Sequence, residues 1–461
     1  MAMERIVAEV EAQASNASAP QSSGGGGGGG LLVVRPDMVG TIVRLDGVEY
    51  YIDVFRFDAA DTWLPALFDE NGRCIPLFNM SMVNGRQVRV TFSSLHPPKN
   101  IFSFEEFAMA EVLPPREAYD RLLDVVGEFV EHRSPYVHRL VVSWSLASWL
   151  HNLVSKKPNI YVTGFFGTGK SVIAQIVRRV ARYAVDLVGT FSASVLWNLG
   201  VMRGVLVLDE TDRLSASVRM MLRRMHDAGV SITKMIADEL GWHMYSFEVS
   251  SPILFVGTHL PEDPALLSRG FILKMHYGKP RKRAIDLDAE IKPIMVSVAK
   301  TMILHWKRYI DALRLAKAEV DEWEVHERYK DIVIPLIAVE ILCRKDWGYL
   351  EDALRYASTA SFYQLKANRA IGWVVEQLYK KGHRVGDMVV IKESEFRELA
   401  RLATSLFGLS ESDARYVYQY FVSASEPCMV DDEPGICLDV KDVVAVRRLM
   451  GNAVLRFYTR R

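Results

Sequence analysis

Asn159-Ile160-Tyr161-Val162-Thr163 runs directly into Gly164-Phe165-Phe166-Gly167-Thr168-Gly169-Lys170-Ser171. The first part is an apolar run that predicts a strand, and the second matches G-x-x-x-x-G-K-[ST] in full. Each fixed position has a physical task. Glycines permit backbone angles that turn successive amide N–H groups inward, making an anion nest at the start of a helix expected over 171–182. Gly164, Gly167, Thr168 and Gly169 form that cradle, Lys170 reaches the β and γ phosphates of a nucleotide, and the Ser171 hydroxyl ligates Mg²⁺. A phosphate loop between strand and helix belongs to a parallel α/β sheet, so this stretch decides the fold class of residues 159–284.

Working outward, Val205-Leu206-Val207-Leu208 is a second apolar strand that ends in Asp209-Glu210. At the C-terminal edge of a parallel strand beside the loop, Asp209 can hold Mg²⁺ through water and Glu210 can polarise the attacking water. The paired carboxylates favour hydrolysis over passive binding. Asp212 is open to the same work as Asp209 and Glu210, or to capping the N-terminus of a helix over 214–221. A third strand, 252–256, ends in Gly257-Thr258-His259, which places Thr258 where it can touch the γ phosphate or the lytic water; His259 is open to the same role or to capping the loop. Arg269, in Pro264-Ala-Leu-Leu-Ser-Arg-Gly-Phe271, suits a finger supplied by one subunit to its neighbour's site, where its fixed charge stabilises developing phosphoryl charge.

The whole chain has 461 residues, 49% hydrophobic and 24% charged, with Lys+Arg 56 balancing Asp+Glu 56. Those values exclude a disordered, collagen-like or small disulfide-scaffold protein, and the neutral balance confines any nucleic-acid contact to local patches. The uncharged run 140–155 is too short and too polar to span a membrane and reads as a buried helix. The start, Met3-Glu4-Arg5, lacks the basic-then-apolar order of a secretory signal, so a soluble, cytoplasmic protein is expected. Cys74, Cys343, Cys428 and Cys437 contain no Cys-x-x-Cys pair; Cys428 and Cys437 flank the acidic stretch 431–435 and could face each other across a hairpin, but read first as two unpaired core thiols.

Composition shifts divide the chain into a Gly-rich tether (1–30), a small β domain (31–113), a helical lead (114–158), the nucleotide-binding core (159–284), a helical domain (285–383) and a tail (384–461). Tyr50, Tyr51, Phe55 and Phe57 read as core of the β domain. The organisation expected is multidomain α/β.

The ordered set 164–171, 206–212, 251–259 and 265–271 resembles the AAA+ ATPases, and within them is most similar to the superfamily 3 and poxvirus-type primase-helicases of viruses, plasmids and integrated elements. The resemblance covers residues 115–340, including Phe191–Trp197 and the helical stretch 332–341. It implies a homo-oligomeric ring, usually a hexamer, that binds ATP with Mg²⁺ between subunits, pulls DNA through a central pore, and meets replication partner proteins. The matching hairpin would run through Gly229–Met235 and Trp242–Val249. Its turn, Ala237-Asp238-Glu239, is acidic where a DNA-gripping tip is basic, with Lys234 and His243 on the flanks. Thr258 stands where the group commonly has Asn. Arg281 and Arg283 are the positions open to a second-sensor role. The tail resembles a winged helix whose wing tip, Asp431-Asp432-Glu433, is acidic, and the better basic patch is Arg447-Arg448 with the cluster 456–461.

Overall fold

The computed structural model describes residues 32–34, 39–57, 62–77, 80–84, 86–90, 102–132, 134, 136–164, 167–189, 191–201, 203–209, 214–229, 231–238, 241–258, 260–261, 263–276, 278–323, 325, 327–363, 366–409 and 411–440. The Gly-rich tether, Asp212, Glu239 and the basic cluster at 447–461 lie outside them. The described residues fall in two compact units: those up to Leu260 with Leu273–Leu350, and Pro261–Ile272 with the chain from Glu351 onward.

The first unit opens with β1 (Leu32–Val34), β2 (Ile42–Leu45), β3 (Val48–Phe57), β4 (Thr62–Phe68), β5 (Cys74–Pro76), β6 (Met80–Val83) and β7 (Arg86–Val90). β2 to β5 form an antiparallel sheet in chain order, while β7 pairs with both β1 and β6. Asp46-Gly47 closes the β2–β3 hairpin with positive φ at both residues, the geometry that a two-residue loop between right-twisted strands requires. Tyr50, Tyr51 and Phe55 are buried.

Three helices follow: α1 (Phe104–Met109), α2 (Pro115–Phe129) and α3 (Tyr136–Ser148). Ser103 and Glu106 form a reciprocal capping box on α1, and α2 begins with a proline at its first turn. α3 is buried continuously from Leu140 to Ser148, which accounts for the uncharged run there.

The next segment alternates: β8 (Asn159–Thr163), α4 (Lys170–Val180), β9 (Val185–Val188), α5 (Ala193–Val201), β10 (Leu206–Asp209), α6 (Ala216–Met225), β11 (Ser231–Asp238), β12 (Gly241–Glu248), β13 (Ile253–Gly257), α7 (Pro264–Leu267) and β14 (Gly270–Lys274). Five strands form one sheet in the order β14-β8-β13-β10-β9, with parallel pairing from β8 through β9. The register sets Gly257 against Thr163 and Asp209 against Val256, so the ends of three strands align at one edge. β11 and β12 form a separate antiparallel hairpin in which Asp238 pairs with Gly241. Ala237 and Asp238 are therefore strand residues, not a turn. The cap of α6 is also not Asp212: Ser215 accepts from the Val218 N–H at 3.3 Å.

α8 (Leu287–Leu304), α9 (Trp306–Asp321) and α10 (Glu327–Leu342) complete this unit. On α10, buried Glu340 accepts from Tyr119 at 2.9 Å and Ser143 at 2.6 Å and pairs with Arg139 at 3.1 Å, tying α2 and α3 to the helical segment. The β sheet at the N-terminus is not a free module. Asp53 receives both terminal nitrogens of Arg182, at 2.5 and 2.7 Å, with both side chains wholly buried. Tyr183 adds a third bond to Asp53 at 3.1 Å, and Lys307 reaches Glu49 at 2.8 Å.

α11 (Gly348–Tyr363) leads into the second unit, which continues with α12 (Lys366–Lys381), β15 (His383–Val385), β16 (Met388–Lys392), α13 (Glu393–Phe407), α14 (Glu411–Ala424), β17 (Glu426–Val430) and β18 (Glu433–Asp439). Its sheet order is β15-β16-β18-β17, over a core that includes Val374, Leu378, Phe396, Phe421 and Ile436. Here the expectation of two unpaired thiols fails, because Cys428 and Cys437 form a disulfide with Cα atoms 6.1 Å apart. The cause is register. The turn is only Asp431-Asp432, both at positive φ, so Cys428 faces Gly435 and Cys437 lies diagonally across on the same face. Gly435 leaves the room: a Cβ there would come within 3.1 Å of the Cys428 sulfur.

Among the described residues, no helix is long and apolar enough to cross a membrane.

Candidate nucleotide-binding site

The loop after β8 is shaped by its glycines. Gly164 is pinned from outside, since a Cβ on it would lie 2.7 Å from the Met275 carbonyl oxygen. Gly169 differs. It is the N-cap of α4 at φ +86°, a left-handed conformation that disfavours other residues, and nothing lies within 4 Å of where its Cβ would be. That open space lies at the N-terminal end of α4, where unsatisfied amides and the helix dipole attract anions. Lys170 folds back over the loop, its Nζ donating to the Gly164 carbonyl at 2.8 Å.

Gly167, Thr168, Gly169, Lys170 and Ser171 border a cavity of about 660 Å³ that Asp209 and Thr258 also line. Of the residues singled out by motif, these seven come together around one space. The Thr258 carbonyl accepts from the Thr163 hydroxyl at 3.0 Å, which joins the ends of β8 and β13. Glu210 and His259 lie outside the described residues, as do Phe165 and Phe166. Arg269 belongs to the second unit, where its Nη1 donates to the Ala265 carbonyl at 2.6 Å and Asp263 caps the short α7 through the Ala265 N–H at 3.0 Å.

Several residues at the site carry no local signal. Phe129, Val130 and Glu131 wall the cavity on one side and Gly278, Pro280 and Ala284 on another. Glu131 accepts from the Lys279 N–H, and Glu128 pairs with Arg281 at 3.1 Å, so acidic residues at the end of α2 fasten the basic segment 279–283 across the cavity wall. Arg281 is engaged there and does not line the loop cavity. Arg178, on α4, lies with Nη2 at 4.0 Å from Asp209 and bonds Asp186 through Nε.

The donor set fits a nucleotide with Mg²⁺. An open glycine loop, a lysine and a helix N-terminus supply positive potential for phosphates. Ser171 and Asp209 bring two hard oxygen groups to one cavity, and among the described residues no three His, Cys, Asp or Glu side chains converge. That suits an ion that keeps waters and phosphate oxygens, as Mg²⁺ does, and not an all-protein cage.

No protein-family model matches the chain, and no curated protein matches it. Among solved structures the chain is similar to "SCCmec type IV Cch - active helicase", at 14% identity and a TM-score of 0.37, over 83% of this chain and 79% of that one.

Proposed function

We propose that this chain is an ATP-hydrolysing, ring-forming AAA+ motor of the superfamily 3 kind that acts on DNA in the replication of a virus, plasmid or integrated element. The observation that carries the reading is the open glycine loop sharing one cavity with Lys170, Ser171, Asp209 and Thr258. In this reading the loop amides and Lys170 bind the triphosphate, and Mg²⁺ held by Ser171 and Asp209 supplies charge neutralisation at the phosphates. Glu210 orients and deprotonates the attacking water, Thr258 hydrogen-bonds the γ phosphate or that water, and Arg269 of a neighbouring subunit stabilises the transferring phosphoryl group. The core spans 159–284, flanked by the β domain (31–113), the helical lead (114–158), the helical domain (285–383) and a winged-helix tail (384–461), in a cytoplasmic hexamer.

The test is subunit mixing. Lys170→Ala and Arg269→Ala proteins, each inactive alone, regain ATP turnover when combined if sites are shared; full turnover by Arg269→Ala alone would remove the finger.

A second reading, a nucleotide-gated DNA-binding initiator or assembly switch that never unwinds, draws on acidity where DNA would be gripped. Asp238 ends β11, and Asp431 and Asp432 are exposed at the β17–β18 turn. Strand release from a forked duplex, measured with ATP, separates the two readings.

A further inference from the structure

Arg178 stands in the last turn of α4, about 12 Å along the axis from Lys170 and too far down the helix to meet phosphates cradled at its start. Its neighbour Arg179 turns away to Asp288 on α8. Arg178 faces the sheet. The parallel register sets Asp186 of β9 beside Val207 of β10, and alternation along β10 puts Val207 and Asp209 on one face, so Asp186 and Asp209 are carboxylates on the same side of the sheet. The guanidinium spans them. Its Nε bonds Asp186, and its Nη2 lies 4.0 Å from Asp209 Oδ2.

Asp186 anchors the group, and Asp209 feels its charge. The Arg178 and Asp209 side chains are 28% and 23% exposed, so water screens their attraction only in part. A guanidinium does not titrate in the range where proteins are folded, so this positive charge is fixed. Two effects oppose each other here. A neighbouring cation weakens a carboxylate's hold on a metal ion, yet one that is held in place also orients the carboxylate. At 4.0 Å the contact is too long for the hydrogen bond that would fix a rotamer, while Coulomb attraction falls only with the first power of distance. The charge effect therefore dominates.

We propose that Arg178 is a positioning residue that acts through Asp209: it offsets the carboxylate's charge, so that the site takes up a divalent cation together with nucleotide phosphates and not ahead of them. This role rests on the motor reading above and adds how the metal is admitted. Phosphate oxygens bring the negative charge that the Asp209–Arg178 pair has given up. Glu131, the other described carboxylate on the cavity wall, is engaged by the Lys279 N–H.

The experiment follows Mn²⁺, a paramagnetic stand-in for Mg²⁺, binding to the full chain by the spectrum of the free ion, first without nucleotide and then with a non-hydrolysable ATP analogue. The variants are Arg178→Gln, Arg178→Lys, and Arg178→Gln combined with Asp209→Asn. Without nucleotide, Arg178→Gln should bind Mn²⁺ about 10-fold more tightly than the unaltered chain, the low end of what one neighbouring opposite charge does to a carboxylate's hold on a proton. Arg178→Lys keeps the charge and the weak binding, and Asp209→Asn removes the gain. A merely structural arginine would leave nucleotide-free binding unchanged or weaker on substitution, and either result overturns the proposal. A gain that survives Asp209→Asn, or that Arg178→Lys shares, overturns it as well. The unaltered chain supplies a test that needs no variant to fold: with the analogue retained, Mn²⁺ held as tightly in its absence as in its presence refutes the role. No retention of the analogue by the unaltered chain sinks the motor reading, and the nucleotide-free comparison with Arg178→Gln still decides whether Arg178 offsets Asp209.

Discussion

The two edges of the five-stranded sheet treat charge in opposite ways. At the C-terminal edge, Lys170 and Asp209 border an open cavity. At the N-terminal edge, Lys157, Arg182 and Arg203 precede β8, β9 and β10, and all three are buried. Each is answered from within the protein: Lys157 donates to the Val154 carbonyl at 3.0 Å, Arg182 grips Asp53, and Arg203 pairs with Glu248 at 3.2 Å. Lys170 and Asp209 have partners too, the Gly164 carbonyl and Arg178, so what separates the two edges is burial: the charges at one border an open cavity and those at the other are enclosed.

Substitutions at the two edges should separate activity from stability. In the proposed reading, Lys170→Ala is expected to lower ATP turnover by about 10²- to 10³-fold, because it would remove a cation from the phosphate site. Its thermal unfolding midpoint should stay near that of the unaltered protein. A large drop in midpoint would mean that the bond from Lys170 to Gly164 is structural and would blur the contrast. Asp53→Asn is the mirror experiment. It leaves Arg182 charged and buried, which for broken pairs costs about 3–5 kcal/mol, while the KM for ATP changes little. Replacing both, as Asp53→Leu with Arg182→Met, should recover much of that loss, because no charge is then stranded. Denaturant unfolding at fixed pH reads all three, and an unchanged midpoint for Asp53→Asn would contradict the role given to the pair.

The open edge was far more legible in sequence than the buried one. Loop, preceding strand and carboxylate strand are each written in consecutive residues, because glycine conformations and strand hydrophobicity are local properties. The partners of the buried edge are not. Asp53 lies 129 positions from Arg182, and nothing in Tyr-Ile-Asp-Val-Phe distinguishes a buried acceptor from an exposed strand residue. The cavity walls at 129–131 and 278–284 meet only through tertiary packing, and the Arg178 contact with Asp209 depends on how α4 lies on the sheet. The disulfide turned on register: placing the β17–β18 turn at two residues instead of five decides whether Cys428 and Cys437 meet. The Ser215 cap was obscured by Asp212, an equally good capping residue three positions earlier.

The last test sharpens the comparison most, because it reads burial through protons. Desolvation holds the Lys157 ammonium down at about 7, against an ordinary value of 10.5, with Arg203 and Lys156 opposing the charge and Glu248 and Asp227 favouring it. Below pH 7 both folded and unfolded chains carry the proton, and this lysine adds no pH dependence. Between pH 7 and 10.5 the unfolded chain holds a proton that the folded chain has lost, so stability from this group rises with pH, by at most about 1.4 kcal/mol per pH unit. Lys157→Met removes the titration while keeping a long apolar side chain. The variant should be more stable than the unaltered protein near neutrality, and the gap should narrow as pH rises toward the value where the lysine is neutral in both states. Subtracting the two unfolding curves cancels every other titrating group they share. A difference that stays flat with pH would mean that Lys157 remains charged in the folded protein, and that the N-terminal edge, like the loop edge, is open to water.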